Sequence, residues 1–383
     1  MDSYANLDTP APRRASAGRL EETAAFPFIE VSGTARNIGL QYGRKAASRI
    51  HRSIEIYRRL FAEKDVDWNQ ARTAASAVAC RIASAYPRIT EEMRAMAEGA
   101  GVPFEDIVAI NARSELLDVS FGKPRADGND VDGCTGAVAL PTTTREGHMI
   151  HAQNWDWRDE CADASIVVKI VPDVGPSMLV FGEAGVMACV GLNNAGLAVT
   201  TNHLECDQDD KRAGLPNPIV RRQVLAQGSL GGAIETVLKA ERGSSIGFLI
   251  SHREGEAVGL EATPDQVFWL SPEEDLLVHA NHFVSTPARV AVHDTGLLAS
   301  TDSLYRDSRV RRHLAKHSGR ITLSTLQAAF QDRFGAPRAV CRTPVEGKST
   351  ATVATIIMDT TAQIMWAAPR PYGPHKFTEY RLP

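Results

Sequence analysis

The stretch "VDGCTGAVALP", residues 131–141, marks the point where the chain changes character. Before it, helical spacing dominates. Ile50, Ile54, Tyr57 and Phe61 recur at i, i+4, i+7 and i+11, one apolar stripe of an amphipathic helix. Val78, Ile82 and Tyr86 continue that pattern until Pro87 stops it. Thr90 reads as the N-cap of "EEMRAMAEGAG", and a further helix, "FEDIVAINARSELL", follows Pro103. The first third is therefore expected to be all helical. After Cys134 the signals are those of strands: "GAVAL", "MIHAQNWDW", "SIVVKIV" and "SMLVFGEAG" are short apolar runs between turn residues. Hairpin turns are expected at Asn193–Gly196, at Glu254–Gly255 and near Asp359–Thr361. Helical stretches interrupt around Ile219–Arg242 and Ser303–Phe334. Helices followed by hairpin-linked strands predict an α+β sandwich of antiparallel sheets rather than a parallel βαβ fold.

Composition narrows the function classes. The 383 residues suffice for one large domain or two average ones, and 43% hydrophobic content supports a sizeable core. A net charge of −4 gives no electrostatic footprint for nucleic acid or an anionic membrane. The densest basic run, Arg306–Arg320, reads as the solvated face of a helix; the sharper alternative is a site for the phosphates of a bulky cofactor. The six cysteines form no C-x-x-C pair, which argues against a zinc ribbon or a disulfide scaffold and fits a reducing cytosol. No run approaches the ~18 apolar residues of a membrane span. Residues 1–25 read as a floppy leader without the apolar core of a secretory signal, so a cytoplasmic protein is expected.

The common catalytic motifs fail. The G-x-S-x-G match "GSSIG" at 243–247 leads into the strand-like "GFLIS" rather than from a strand into a helix, so it is no nucleophile elbow; "GKSTA" at 347–351 lacks the last glycine, and there is no phosphate-binding glycine loop. His148 and His151 would point to opposite faces of a strand and so would not chelate a metal together. No cofactor is expected. Cys134 remains, and a buried small hydrophobe is as ordinary a reading of a cysteine as a nucleophile. Its context favours chemistry: a flexible Asp132–Gly133 approach, then Asn154 and Asp156 in "QNWDW", and Asn281 in "HANHF".

Seven stretches in order carry a resemblance: "SGTARNIGLQYGRKAASRIHRSIEIY", "INARSELL", "DGCTGAVALP", "AQNWDW", "GLNNAGLAVTTNHL", "VHANHF" and "CRTPVEGKSTATVATIIMD". Together they resemble the isopenicillin N acyltransferase-like family of self-processing Ntn hydrolases. The resemblance implies an αββα sandwich and cleavage of the Gly133–Cys134 bond, leaving fragments 1–133 and 134–383 as one compact unit. Cys134 would become a new N-terminus, whose α-amino group, with a reference pKa of ~7.7–8.0, can take the proton of its own thiol. Asn281 matches the family's oxyanion donor, Asp156 an aspartate that orients the new terminus, and Ser349 a serine used in processing or acyl handling. Each also has a plainer reading: a turn asparagine, a loop cap and a strand-edge hydroxyl. Glu115 matches too, though a structural partner would explain it equally. Thr350 and Ala351 stand where the fungal penicillin enzyme has Arg and Gly, which counts against recognition of a penicillin-type carboxylate. Thr135, Phe121, Trp155, Trp157 and Phe283 are candidates for substrate contact, with core packing as the alternative.

The expected activity is hydrolysis of a small N-acylated amine or amino acid through a Cys134 thioester. The competing reading passes the same thioester to an amine, with acyl-CoA as donor and co-substrate. A third, a noncatalytic binding protein that kept the fold, predicts no self-cleavage and no reactive thiol.

Overall fold

A strand that carries apolar residues on both of its faces needs cover on both sides. "MLVFGE" and "TATVATIIMD" are such runs, and the computed structural model buries them almost completely. It describes residues 24–117, 133–209 and 214–383, so nearly all of the expected leader, Phe121 and Asp132 lie outside the described residues. Eight strands form the larger sheet: β1 (Phe28–Gly33), β4 (Ser165–Pro172), β5 (Met178–Glu183), β6 (Val190–Asn193), β7 (Leu197–His203), β8 (Ile246–His252), β9 (Glu256–Ala262) and β10 (Val267–Leu270), in that order across the sheet. The smaller sheet runs β11 (Leu276–His279), β2 (Thr135–Ala139), β3 (Ile150–Arg158), β12 (Thr350–Asp359), β13 (Ile364–Pro369) and β14 (Thr378–Arg381).

Helices cover both outer faces. The N-terminal part supplies α1 (Ala35–Lys45), α2 (Ala47–Glu63), α3 (Trp68–Ala85), α4 (Pro87–Ala100), α5 (Phe104–Asn111) and the single turn α6 (Arg113–Glu115). With α7 (Asn217–Leu225) and α8 (Leu230–Lys239), they back the larger sheet, so that Ile50, Tyr57 and Phe61 share one core with Phe181 and Val220. The short α9 (Thr286–Ala291) leads to α10 (Ser303–Ala315) and α11 (Leu323–Phe330), whose Val310, Leu314 and Phe330 cover Ala137, Ala152 and Ile357 of the smaller sheet. Between the sheets lie Val138, Met149, Leu249 and Leu277. The result is the expected αββα sandwich. No helix among the described residues is long and apolar enough to cross a membrane.

The seam between the sheets also holds His151, whose ring nitrogens meet Ser251 Oγ at 3.0 Å and Thr200 Oγ1 at 2.8 Å. Burial pushes its pKa down to about 3, so the ring stays neutral. His148 goes elsewhere, to Asp359 Oδ2 at 2.7 Å, and the two histidines share no ligand position.

Four sequence expectations need correction. The first third is not all helical: β1 pairs parallel with β4, Phe28 opposite Val167 and Val31 opposite Ile170, whereas every other paired strand among the described residues is antiparallel. Thr90 caps nothing; α4 begins at Pro87, which suits a first helical turn because it lacks an N–H to satisfy. The stretch 219–242 divides after Leu225, where Ser229 starts a new helix by accepting from Gly232 N. The stretch 303–334 divides at the left-handed Gly319, after which Thr322 caps α11.

The cross of α1 over α4 depends on missing side chains. A Cβ on Gly39 would lie 2.1 Å from Glu92 O, and one on Gly43 would lie 2.2 Å from Met96 O. Backbone on a packed neighbour cannot step aside, so overpacking should cost about 1–3 kcal/mol. Gly43→Ala is therefore expected to lower the denaturant midpoint of the purified protein. An unchanged midpoint would contradict the close helix approach.

Candidate active site

Strand alternation sorts the "QNWDW" residues. On β3, Gln153, Trp155 and Trp157 line a cleft, while Asn154 and Asp156 point to the opposite face. Asn154 Nδ2 donates to Phe330 O and Val340 O, both at 2.7 Å, and fixes the sheet to the end of α11. Asp156 Oδ1 accepts from Thr352 Oγ1 at 2.6 Å, and Oδ2 pairs with Arg342 Nε at 3.1 Å. Cys134 immediately precedes β2, is 3% exposed, and its Sγ lies 4.0 Å from Asp156 O.

Arg306 is the central side chain. It rises from α10 and is fully buried. Its Nη1 donates to Gly133 O at 2.8 Å, Cys134 O at 2.7 Å and Thr135 Oγ1 at 2.8 Å. Nη2 donates to Asn281 Oδ1 at 2.8 Å, and Nε to Asp302 Oδ2 at 2.7 Å. Asp302 also receives Arg342 Nη2 at 2.5 Å. Burial would raise the Asp302 carboxyl, but the two guanidiniums outweigh it and hold the group below the usual aspartate range. The Arg306 pKa is lowered, by burial first and by the neighbouring Arg342 second. Two arginines and two aspartates thus surround the Gly133–Cys134 peptide, and a donor sits on the Gly133 carbonyl where negative charge would develop on attack. Gly133 is pressed against this cluster: a Cβ there would lie 2.2 Å from Arg342 Nε.

The cleft in front of Cys134 has a volume of ≈ 60 Å³ and opens to solvent. Besides the β3 side chains it is lined by Arg113, Glu115, His203 and Arg221, among others. Trp157 Nε1 donates to Tyr57 OH at 3.1 Å, and Trp155 meets the Phe181 ring edge-on at 5.8 Å, which anchors both indoles.

Sequence comparison decides the family. Residues 142–370 match the family described as acyl-coenzyme A:6-aminopenicillanic acid acyl-transferase, well over half of the chain. The chain belongs to this acyl-transferase family. A curated relative, the 40 kDa form of acyl-coenzyme A:6-aminopenicillanic-acid-acyltransferase from Emericella nidulans, is 27% identical over 86% of this chain and 89% of its own length. Among solved structures, a variant of the conjugated bile acid hydrolase of Clostridium perfringens aligns over 64% of this chain and 92% of that one, with TM-score 0.46 and 15% identity. The penicillin V acylase of Agrobacterium tumefaciens aligns over 62% and 83%, with TM-score 0.40 and 13% identity.

Within this acyl-transferase family chain, the residues singled out from sequence divide into three groups. Gly133, Cys134, Thr135, Asp156 and Asn281 meet around Arg306 and Arg342. Thr135 is buried there as an acceptor for Arg306 rather than lining the cleft. Asn281 lends Oδ1 to Arg306, and its Nδ2 donates to His203 O at 3.0 Å. Glu115, Trp155 and Trp157 line the cleft, and Glu115 Oε1 accepts from Asn217 N at 3.1 Å. Phe283 and Ser349 stand apart. Phe283 packs with Leu204, Cys206 and Phe268 in a separate cluster. Ser349 precedes β12, outside the cleft lining, and its carbonyl accepts from Asp159 N at 2.8 Å.

Sequence reasoning missed Arg306, Asp302, Arg342 and Asn202. The solvated-face reading of Arg306–Arg320 fails at its first residue, because the i, i+4 pair Asp302–Arg306 is buried as a unit. That spacing was the available signal. Asn202 Nδ2 donates to His279 O at 2.9 Å and to Cys134 O at 3.3 Å. It lies inside "TTNHL" and Arg342 inside "CRTPVEG", both motifs that carried the family resemblance.

Proposed function

We propose that the chain cuts itself between Gly133 and Cys134, and that the freed cysteine then hydrolyses a small N-acyl amide. The observation that carries this reading is the Arg306 guanidinium, which donates to Gly133 O and Cys134 O on the two sides of that bond. Cys134 Sγ attacks the Gly133 carbonyl carbon, and the charge gathering on Gly133 O is met by Arg306 Nη1. The C–N bond then breaks, the thiol proton passes to the departing nitrogen, and a thioester remains. Water opens the thioester, returning the thiol and leaving a carboxylate on Gly133. The new α-amino group of Cys134, with a reference pKa of ~7.7–8.0, serves as base for the same thiol in turnover. Asp156 and Arg342 hold the terminus, and the second Asn281 Nδ2 hydrogen supplies a donor to the substrate oxyanion. The reading puts the enzyme in a reducing cytoplasm, in keeping with six unbridged cysteines.

A denaturing gel with N-terminal sequencing tests it. Two fragments are expected, the larger beginning Cys-Thr-Gly. A single uncut chain with full amidase activity would sink the mechanism. The curated relative's name favours a second reading, transfer of the acyl group from acyl-CoA to an amine. Thr350 and Ala351 lean toward water as acceptor, since an arginine for a penicillin-type carboxylate is missing there. Acyl-CoA consumption that requires an amine and outpaces hydrolysis of simple amides would favour transfer.

A further inference from the structure

The cleft in front of Cys134 contains a cation that no described carboxylate pairs with directly. Arg113 lines it too, but its Nη2 is paired with Glu183 Oε2 at 3.2 Å. His203 meets Glu205 at 2.9 Å. Arg221, on α7, has a different environment. Nε donates to Ala188 O at 2.8 Å and Nη1 to Thr201 Oγ1 at 2.7 Å, both neutral acceptors. No described carboxylate forms an ion pair with it, and Glu115, which shares the cleft, is held by Asn217 N. A guanidinium has five N–H donors, so these two bonds leave most of the fork unused.

Leaving most of a half-buried guanidinium fork without an acceptor is costly, and in a cleft the missing partner is most simply supplied by a ligand. Burial lowers the Arg221 pKa from its ordinary value, with Arg113 adding to the fall and Cys189, Glu115 and Cys134 opposing it. Thr201 adjoins Asn202, whose side chain donates to Cys134 O, so the fixed guanidinium and the sulfur face the same space. The rest of the lining is rich in hydrogen-bonding groups: Asn111, Ser114, Gln153, Thr201 and Asn217. The apolar part of the wall is Trp155, Trp157, Cys189, Pro218 and Ile246.

We propose that Arg221 holds a carboxylate of the substrate, so that the enzyme acts on acidic amides in preference to neutral ones. This inference rests on the amidase reading and specifies its substrate class. The carboxylate can come from the amine half, as in an N-acylamino acid, or from the acyl half, as in the monoamide of a dicarboxylic acid. The chemistry that Arg221 recognises is the same.

Two measurements test the inference, one of them independent of turnover. First, kcat/KM is compared within two acid/neutral pairs: hexanoylglycine against hexanoylglycinamide, and glutaric monoanilide against pentananilide. A charged hydrogen-bond pair predicts a preference of about 10- to 100-fold for the acid in at least one pair. The pair that shows it identifies the half carrying the carboxylate. In Arg221→Gln that ratio is expected to fall toward one, with Arg221→Lys intermediate. Equal rates on acid and amide in both pairs, or an unchanged ratio in Arg221→Gln, would overturn the inference. Second, Cys134 is alkylated with iodoacetate or iodoacetamide, each forming an S–C bond and releasing iodide. The wild-type iodoacetate/iodoacetamide rate ratio should exceed that of free cysteine, and Arg221→Gln should reverse it. If no amide is hydrolysed at all, the amidase reading fails, and the alkylation ratio alone judges the inference. A Cys134 that resists both reagents overturns it as well, since no carboxylate then reaches Arg221 through this cleft.

Discussion

Cys134→Ala is expected to run as one uncut chain of 41.5 kDa and to lose amide hydrolysis entirely. The alanine methyl cannot attack the Gly133 carbonyl; among the described residues around the bond, the Thr135 hydroxyl is engaged by Arg306, and Arg306, Arg342 and Asp302 are charged groups already committed to one another. The change is small, one sulfur in a 3%-exposed position, so the fold should survive and thermal unfolding should shift little. That separates loss of chemistry from loss of structure. Cys134→Ser should still cut, more slowly, because a hydroxyl can make the same acyl shift with a poorer nucleophile. Cleavage of Cys134→Ala at the same bond and rate would assign the reaction to another group.

Arg306→Lys is expected to slow self-cleavage by ~10²–10³-fold, the usual cost of losing an oxyanion donor. An ammonium keeps the charge but cannot span Gly133 O, Cys134 O, Thr135 Oγ1, Asn281 Oδ1 and Asp302 Oδ2 as the planar fork does. The readout is the rate of appearance of the two fragments per folded molecule, followed on a gel alongside the melting temperature. Arg306→Leu should do worse, leaving the Asp302 carboxylate buried beside Arg342 alone, a loss of about 3–5 kcal/mol when one partner of a buried pair is removed. A purely structural arginine would lower the melting temperature in both variants while leaving the cleavage rate of folded Arg306→Lys unchanged. Wild-type processing in folded Arg306→Lys would refute the role.

Much of the fold was legible because the strand signals are local. "IHAQNWDWR" announces β3, and its two-residue alternation already separates the indoles of Trp155 and Trp157 from Asn154 and Asp156. The hairpins at Glu254–Gly255 and Asp359–Thr361 were equally readable from turn residues. β1 was overlooked because six residues between Pro27 and a helix make a weak signal, and its parallel partner lies far along the chain. Arg306 was misread for a deeper reason. Within "RDSRVRRHLAKH" the charges say solvent, and it is Asp302 one turn earlier together with Gly133 O, Cys134 O, Thr135 and Asn281, distant in sequence, that make the burial of Arg306 favourable. Phe283 shows the converse, an aromatic beside Asn281 in sequence that packs into a core of its own. Proximity along the chain marked the cluster's members, but not which of them face the cleft.

β1 has a consequence for the protein if the proposed cut is made. The strand would then belong to the N-terminal fragment yet is stitched by main-chain bonds to β4, and Tyr380 OH of the last strand donates to Phe26 O at 2.7 Å. Before cleavage, folding is a unimolecular event. After the proposed cut, the same architecture would be a two-chain complex whose halves must find each other again if they ever part. Heating and cooling the mature enzyme should therefore give recovery that depends on protein concentration, whereas uncut Cys134→Ala should refold independently of it. Self-cleavage, on this view, is a ratchet: the structure is assembled once, and its persistence is then governed by how slowly the sheet unzips.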